Sequence, residues 1–189
     1  YCVGYAIGGP VEYIPGQAVE TLWQTGFLGA THCARQALPM LCASQGYFIT
    51  ISSAAAEAPL PFQAYYSALK AGLSSWSNAL ALEMKPLGVK VVDILPGDIK
   101  TAFTQSRQKF GVDSENRYGL RTAHSLAQME KDEQNGIAPD KVAEKILRVL
   151  KKKNPPYHVT VGGRYRLYLI ALKLLPQRLG LFVIGKLYG

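Results

Sequence analysis

A tyrosine and a lysine four residues apart, Tyr66 and Lys70, form the pair in this sequence with the clearest capacity for proton transfer. Residues four apart on a helix lie on one face, with their Cβ atoms about 5–6 Å apart. A free phenol has a pKa of about 10, which a neighbouring ammonium group lowers. The pair therefore predicts a general acid or base at Tyr66. Tyr65 lies five residues before Lys70 and is predicted to point elsewhere.

This spacing is a weak signal by itself, because most pairs of two residue types at a fixed gap are structural. Two small polar segments strengthen it. Ser52 and Ser53 end a predicted strand upstream, and Pro96 and Gly97 end the next strand downstream. Each segment alone also suits an ordinary turn. Ligands of parallel α/β sheets bind at the carboxyl ends of the strands. The two strand ends together with the Tyr66 and Lys70 pair therefore predict a ligand site at that edge of the sheet.

Strands and long helices alternate along the chain, which predicts an α/β fold with a parallel sheet. Apolar runs predict buried strands at 46–53, 89–95 and 157–163, and helical periodicity predicts helices at 19–43, 63–85 and 139–153. Pro39 is expected to bend or end the first helix late. The polar stretch 99–136 is expected to be a mobile loop with short helices, and the glycine-rich residues 6–10 to be a loop.

Composition excludes several classes of protein. The net charge is +8 over 189 residues, but the basic residues are scattered apart from 151–153, and no basic face is interleaved with aromatic residues. Nucleic-acid binding is therefore not expected. The three cysteines have neither disulfide-framework nor metal-ligand spacing, so no metal site is predicted and a reducing cytosol is the expected setting.

Five short segments resemble the short-chain dehydrogenase/reductase family. They are "YCVG" at 1–4, "LPML" at 38–41, "ISS" at 51–53, "YSALK" at 66–70 and "PGDIKT" at 96–101. The resemblance extends to about residue 160. It implies a Rossmann-like doubly wound parallel sheet with helices on both faces, and an oxidoreductase that uses NADP or NAD.

The resemblance also implies roles for individual residues. Tyr66 is the implied acid or base, Lys70 its pKa-lowering partner, and Ser53 the hydrogen-bond donor to the substrate oxygen. Ser52 is expected to turn into the sheet, since neighbouring strand residues face opposite ways. The implied cofactor-binding residues are Gly4, Tyr66, Lys70, Pro96, Gly97, Ile99 and Thr101.

Two features depart from the family pattern. The glycine-rich turn that holds the cofactor pyrophosphate is absent. We therefore expect that the first βαβα part, of about 80 residues, is missing and that residues 1–163 are the C-terminal two-thirds of the domain. Gly26 stands where the family usually has an asparagine that organises a proton relay, and Tyr1 and Cys2 replace two further asparagines.

The tail, residues 164–189, mixes apolar and basic residues and is expected to form two short amphipathic helices broken at Pro176. Its apolar runs are shorter than the roughly 20 residues that span a bilayer. Three uses stay open: an ordinary docking helix, a lid over an apolar cleft, or a peripheral membrane contact. The second and third imply a lipophilic substrate such as a steroid, a retinoid or a long-chain ketone.

These inferences predict an NAD(P)(H)-dependent oxidoreductase that interconverts a secondary alcohol and a ketone or aldehyde. The resemblance further implies a homodimer or homotetramer built on the helices near 19–43 and 63–85. A cytoplasmic location is expected, with membrane association through the tail as an option. The alternative is a catalytically silent binding or scaffold protein, or an inactive fragment, on the same fold.

Overall fold

A computed structural model describes residues 1–113 and 115–189 of the chain. The strands are β1 Ile7–Gly8, β2 Tyr47–Ile51, β3 Lys90–Pro96, β4 Gln108–Lys109 and β5 His158–Val161. The helices are α1 Gly16–Trp23, α2 Gly29–Ser44, α3 Ala64–Met84, α4 Phe103–Ser106, α5 Arg121–Gln134, α6 Pro139–Leu150, α7 Gly163–Leu174 and α8 Gln177–Tyr188. The predicted alternation of strands and helices is confirmed.

The main sheet is parallel, in the order β2-β3-β5. In its register Ile49 pairs with Val92, and Ile94 pairs with Val159. Strand β3 lies in the middle of the sheet and is buried along almost its whole length, as expected for a parallel strand covered on both faces. Because the strands are parallel, their carboxyl ends meet at one edge, where the Ser52 amide donates to the Ile94 carbonyl at 2.9 Å.

Helices cover both faces of this sheet, which confirms the predicted doubly wound architecture. On one face Val91 packs in a cluster with Ala34 of α2 and Leu80 of α3. On the other face Val92 packs with Val142 of α6. Neighbouring strand residues point to opposite faces, so one apolar strand serves two helical layers.

The first long helix is longer than its sequence pattern predicts. It begins at Gly16 instead of residue 19 and passes through a π-helical stretch, Gln24–Leu28, into α2. Pro39 lies inside α2 and does not end it, since the helix runs on to Ser44. A proline there removes one helical hydrogen bond, and packing of the apolar face of α2 against the sheet offsets that loss.

The prediction of a mobile loop with short helices at 99–136 is wrong for its second half, where α5 runs for 14 residues. The sequence does not show a helical pattern of apolar residues here, because half of the buried residues of α5 are polar. The buried residues are Thr122, Ser125, Leu126 and Met129. An ion pair also holds the helix in place. Arg107, almost fully buried, lies 3.5 Å from Glu130 and also bonds Glu133.

The glycine-rich residues 6–10 are not entirely a loop. Within them β1 pairs in parallel with β4, in the register Ile7 to Gln108 and Gly8 to Lys109. Gly9 has a φ of 153°, and a Cβ there would overlap the backbone of Phe110. The glycines are therefore needed for close packing of this small sheet.

The tail forms two helices on either side of Pro176, as predicted. Its buried residues, Leu169 and Ile184, pack against Ala54 and Ala58 beside the carboxyl end of β2. No helix in the described part of the chain combines the length and apolar character needed to cross a bilayer. Whether residues 164–189 form a unit separate from 1–163 stays a prediction.

Candidate active site

A cavity of about 520 Å³ lies at the carboxyl ends of β2 and β3. The structure brings most of the predicted site residues to its wall: Gly4, Ser53, Tyr66, Lys70, Gly97, Ile99 and Thr101. Pro96 does not line the cavity, because it ends β3 and pairs with Val161 in the sheet. Residues far apart in sequence thus converge on one space that a small molecule could occupy.

Tyr66 lies near the start of α3 and is only 8% exposed. Its ring centroid is 5.9 Å from that of Phe103. Burial raises the pKa of Tyr66 to about 12, and the nearby hydroxyl of Ser53 offsets part of this rise. The expected lowering of this pKa is therefore not found, because the loss of water around the phenol outweighs the favourable groups.

Lys70 follows Tyr66 by one helical turn and is also 8% exposed. Its Nζ donates to the carbonyl of Ile51 at 2.9 Å and lies 5.7 Å from the centroid of the Tyr66 ring. Burial lowers the pKa of Lys70 to about 8. At neutral pH the ammonium group is still charged, and it is held at the end of β2 facing the cavity.

The two serines at the end of β2 have different surroundings. Ser52 is buried, and its hydroxyl donates to Oδ2 of Asp93 at 2.8 Å, while Thr50 donates to Oδ1 of the same carboxylate at 3.0 Å. Ser53 lines the cavity and accepts a hydrogen bond from the amide of Ala55 at 3.1 Å. The Ser52 hydroxyl is bonded to Asp93 inside the sheet, so Ser53 is the serine whose hydroxyl is available to a ligand.

Gly4 lies directly beside Lys70. A Cβ built on Gly4 would stand 3.9 Å from Nζ of Lys70, so the backbone of Gly4 borders the space in front of the ammonium group. Together with Ile99 and Thr101 on the cavity wall, these residues could hold the ribose and ring of a nicotinamide. The glycines at 8 and 9 could not cradle a pyrophosphate, because packing against Leu126 and Phe110 fills the space beside them.

The family model for short chain dehydrogenase matches residues 1–110, more than half of the chain. The chain belongs to this family. A relative, the 3-ketodihydrosphingosine reductase of Bacteroides thetaiotaomicron, is 36% identical over 161 residues, which are 84% of this chain and 60% of the relative. The chain therefore spans about 60% of the length of that reductase.

Two solved structures share the fold of this chain. One is a short-chain dehydrogenase from Streptomyces avermitilis, with a TM-score of 0.81 and 24% identity over 97% of this chain and 67% of that chain. The other is a short-chain dehydrogenase/reductase from Burkholderia phymatum in complex with NAD, with a TM-score of 0.76 and 14% identity over 93% of this chain and 66% of that chain. The confirmed doubly wound sheet is thus the fold of known members of the family.

Gly26, which stands at the family's asparagine position, is buried in the π-helical stretch. A Cβ at this position would lie 2.8 Å from Cδ1 of Leu69, and Leu69 is itself fully buried. A larger residue at 26 would require the end of the Leu69 side chain to shift. The small residue at this position therefore fits the close packing between the π-helical stretch and α3.

Several cavity residues were not predicted from sequence: Gln63, Asp98, Phe103, Glu133, Tyr165, Tyr168 and Tyr188. Gln63 precedes Tyr66 by three residues, a helical spacing that could have indicated it. The three tyrosines belong to the tail, and no local pattern links them to a site about a hundred residues away.

The most specific of these contacts joins the tail to the end of β3. The phenol of Tyr165 donates to the carboxylate of Asp98, and its ring lies where a Cβ of Gly97 would be. Burial raises the pKa of Asp98 to about 6 and also raises that of Tyr165. Gly97 is therefore required for close packing of the tail against the end of β3.

Proposed function

We propose that this chain is the catalytic part of an NAD(P)(H)-dependent oxidoreductase that interconverts a ketone and a secondary alcohol, or an aldehyde and a primary alcohol. The observation that carries this proposal is the convergence of the Ser53 hydroxyl, the Tyr66 phenol and the Lys70 ammonium group on one cavity. A hydroxyl, a phenol and a cation are the groups that stabilise negative charge on a carbonyl oxygen as it is reduced.

In reduction, the carbonyl carbon gains a hydride, which a bound nicotinamide cofactor supplies. The carbonyl oxygen gains the proton of Tyr66, which is fully protonated at neutral pH because its pKa is about 12. Ser53 donates a hydrogen bond to the same oxygen, and the charge of Lys70 stabilises the phenolate that Tyr66 becomes. The raised pKa favours reduction at neutral pH, since oxidation requires Tyr66 to start as a phenolate.

We propose that the nicotinamide end of NADP or NAD is held by residues at the open side of Lys70. Those that would contact it are Gly4, Lys70, Gly97, Ile99 and Thr101, with Pro96 fixing the end of β3 and Tyr66 at the reacting side. Their placement on one cavity wall supports this assignment.

A lipophilic substrate suits the remaining wall of the cavity. Apolar side chains contribute much of it: Ala54, Ala58, Leu60, Phe103 and Met129. The relative that is 36% identical is named 3-ketodihydrosphingosine reductase. We therefore place the substrate among long-chain ketones and related lipophilic carbonyl compounds.

The direct test is oxidation of NADPH and NADH by the full protein in the presence of methyl octyl ketone, followed by the absorbance of the reduced cofactor. We expect turnover that depends on the ketone. Acetone serves as the matched ketone without an apolar chain and should give a kcat/KM at least about 100-fold lower, because each buried CH₂ contributes ~0.8 kcal/mol. Absence of turnover with both cofactors would favour the silent binding protein instead.

We also propose that the tail contacts an anionic membrane surface. On α7 the side chains of Leu167, Ile170, Ala171 and Leu174 fall within an arc of about 100°, opposite the buried Leu169. These side chains are exposed: Leu167 to 71% and Leu174 to 81%. An exposed apolar stripe on a helix suits the interfacial region of a bilayer.

The charges of the tail suit the same surface. Residues 164–189 contain five basic side chains and no acidic one. On the helical wheel of α7, Arg164 lies on one side of the apolar stripe and Arg166 on the other, while Lys173 pairs with Glu57 at 2.9 Å. Basic residues beside an apolar stripe attract anionic lipid headgroups, with about 1 kcal/mol for each residue near the surface.

Sedimentation with phosphatidylcholine vesicles, with and without about one third phosphatidylserine, tests this contact. We expect binding only to the anionic vesicles, and a decrease of about 10–30-fold in Arg164→Gln/Arg166→Gln. Leu167→Gln/Leu174→Gln should also lose binding, whereas the control Leu120→Gln/Leu147→Gln, which changes two exposed leucines outside the tail, should keep it. Binding that survives both tail variants would rule out this surface.

The subunit contact is proposed on the helices that the resemblance implies. Met40 of α2 and Leu82 of α3 are exposed to 70% and 64%, which supports an apolar interface there in a homodimer or homotetramer. We also propose a cytoplasmic location, where anionic headgroups face the protein.

A further inference from the structure

Gln63 is a buried side chain with an unpaired polar group at the wall of the active-site cavity. The residue is 2% exposed and lines the cavity. Within the described part of the chain its Nε2 has no hydrogen-bond partner. A buried amide without a partner costs free energy, so such a group needs an explanation.

Helix capping does not explain it. Gln63 is the residue before α3, yet its side chain makes no capping hydrogen bond. Its backbone is already bonded: the amide donates to Leu60 at 3.2 Å, and the carbonyl accepts from Ser67 at 2.9 Å. Neither capping nor the backbone therefore accounts for Nε2, which has no partner among the described residues.

The backbone that presents Gln63 is strained. Phe62, the preceding residue, has a φ of 58°, in the left-handed region that non-glycine residues rarely adopt. Its carbonyl is fixed by the amide of Gly9 at 2.7 Å. Strain of this kind collects at functional sites, where the surrounding structure imposes it.

We propose that Gln63 binds a second polar group of the substrate, a hydroxyl close to the reacting carbonyl. Gln63 lies one helical turn before Tyr66, so its amide borders the space in which Tyr66 meets the carbonyl oxygen. A hydroxyl both donates and accepts, and it pairs with either end of an amide. This inference rests on the proposed function and narrows its substrate to lipophilic hydroxyketones.

A second unpaired group supports a polar ligand in the same cavity. The phenol oxygen of Tyr168, from α7, is buried and has no partner among the described residues. Tyr168 also lines the cavity. The Gln63 amide and the Tyr168 phenol are thus two polar groups without partners among the described residues in one cavity. Together they indicate a ligand with polar atoms beyond a single carbonyl oxygen.

The test compares methyl octyl ketone with its α-hydroxy derivative in the full protein. We expect kcat/KM for the hydroxyketone to exceed that for the ketone by about 10-fold or more, because a site built to bond a hydroxyl discriminates against its absence. In Gln63→Leu this ratio should fall to about one, whereas Gln105→Leu, on α4 and outside the cavity, should keep the wild-type ratio. A wild-type ratio near one, or an unchanged ratio in Gln63→Leu, would overturn the proposal.

A second measurement needs no turnover and so separates this proposal from the proposed function. Without ligand, Gln63→Leu should unfold at a higher urea concentration than the wild type, because an unpaired buried amide has been removed. The hydroxyketone should raise the melting temperature of the wild type but not that of Gln63→Leu. A lower urea midpoint in the variant would mean that Gln63 has a structural partner, which contradicts a role in binding.

Discussion

Replacing Tyr66 by phenylalanine is expected to lower kcat for ketone reduction by about 10²–10⁴-fold, the usual contribution of a positioned general acid. The variant keeps the ring that packs beside Phe103 and loses only the phenol oxygen. The fold should therefore persist, with a wild-type far-ultraviolet circular dichroism spectrum. Because the proton donor is absent at every pH, the loss should not recover at low or high pH.

The neighbouring tyrosine provides the matched control. Tyr65 packs in a different cluster, with Ile7 and Leu22, and does not line the cavity. Tyr65→Phe removes the same atom from the adjacent helix position and should leave kcat within about threefold of the wild type. Equal losses in the two variants would show that Tyr66 has no special role in proton transfer.

Replacing Lys70 by methionine is the second large change. It should lower the activity but, at neutral pH, raise the free energy of unfolding, because the cost of burying a charge is removed. Activity should fall by about 10²-fold or more, because the phenolate of Tyr66 loses the positive charge beside it. In the wild type the same activity should decline as the pH rises past about 8, where Lys70 itself loses its proton.

Stability should depend on pH in a way that identifies the buried ammonium group. Burial lowers the pKa of Lys70 from 10.5 in the unfolded chain to about 8 in the folded protein. Below pH 8 both states carry the proton, so the full cost of burying the charge is present. Between pH 8 and 10.5 the unfolded state binds more protons, so wild-type stability rises with pH relative to Lys70→Met, by about 2–4 kcal/mol in total.

Urea unfolding at several pH values from 7 to 10 measures this difference. Lys85→Met, which removes an exposed lysine after α3, is the control and should show no change of this kind across the range. A constant stability difference between wild type and Lys70→Met would mean that Lys70 is not desolvated in the folded protein.

The sequence by itself determined the architecture, because apolar runs and helical spacing indicate which residues of a strand or helix are buried. The apolar run of β3 predicted a strand covered on both faces, and the spacing of Tyr66 and Lys70 predicted one face of α3. The ends of β2 and β3 followed from parallel topology, which places Ser53 and Gly97 at the same edge. The first two inferences need only residues that are neighbours along one element, and the third adds only the general rule that ligands bind at the carboxyl ends of parallel strands.

Tertiary structure decided what depends on contacts between distant elements. Helix α5 was not predicted because part of its buried face is polar. It is held in place by ion pairs with Arg107, about 25 residues earlier in the chain. The raised pKa of Tyr66 follows from burial by several elements, and the sequence pair alone suggested the opposite direction. Two further features arise only when the tail and α3 enclose the cavity. One is the placement of Tyr165 over Gly97, and the other is the Gln63 amide, whose Nε2 has no partner among the described residues.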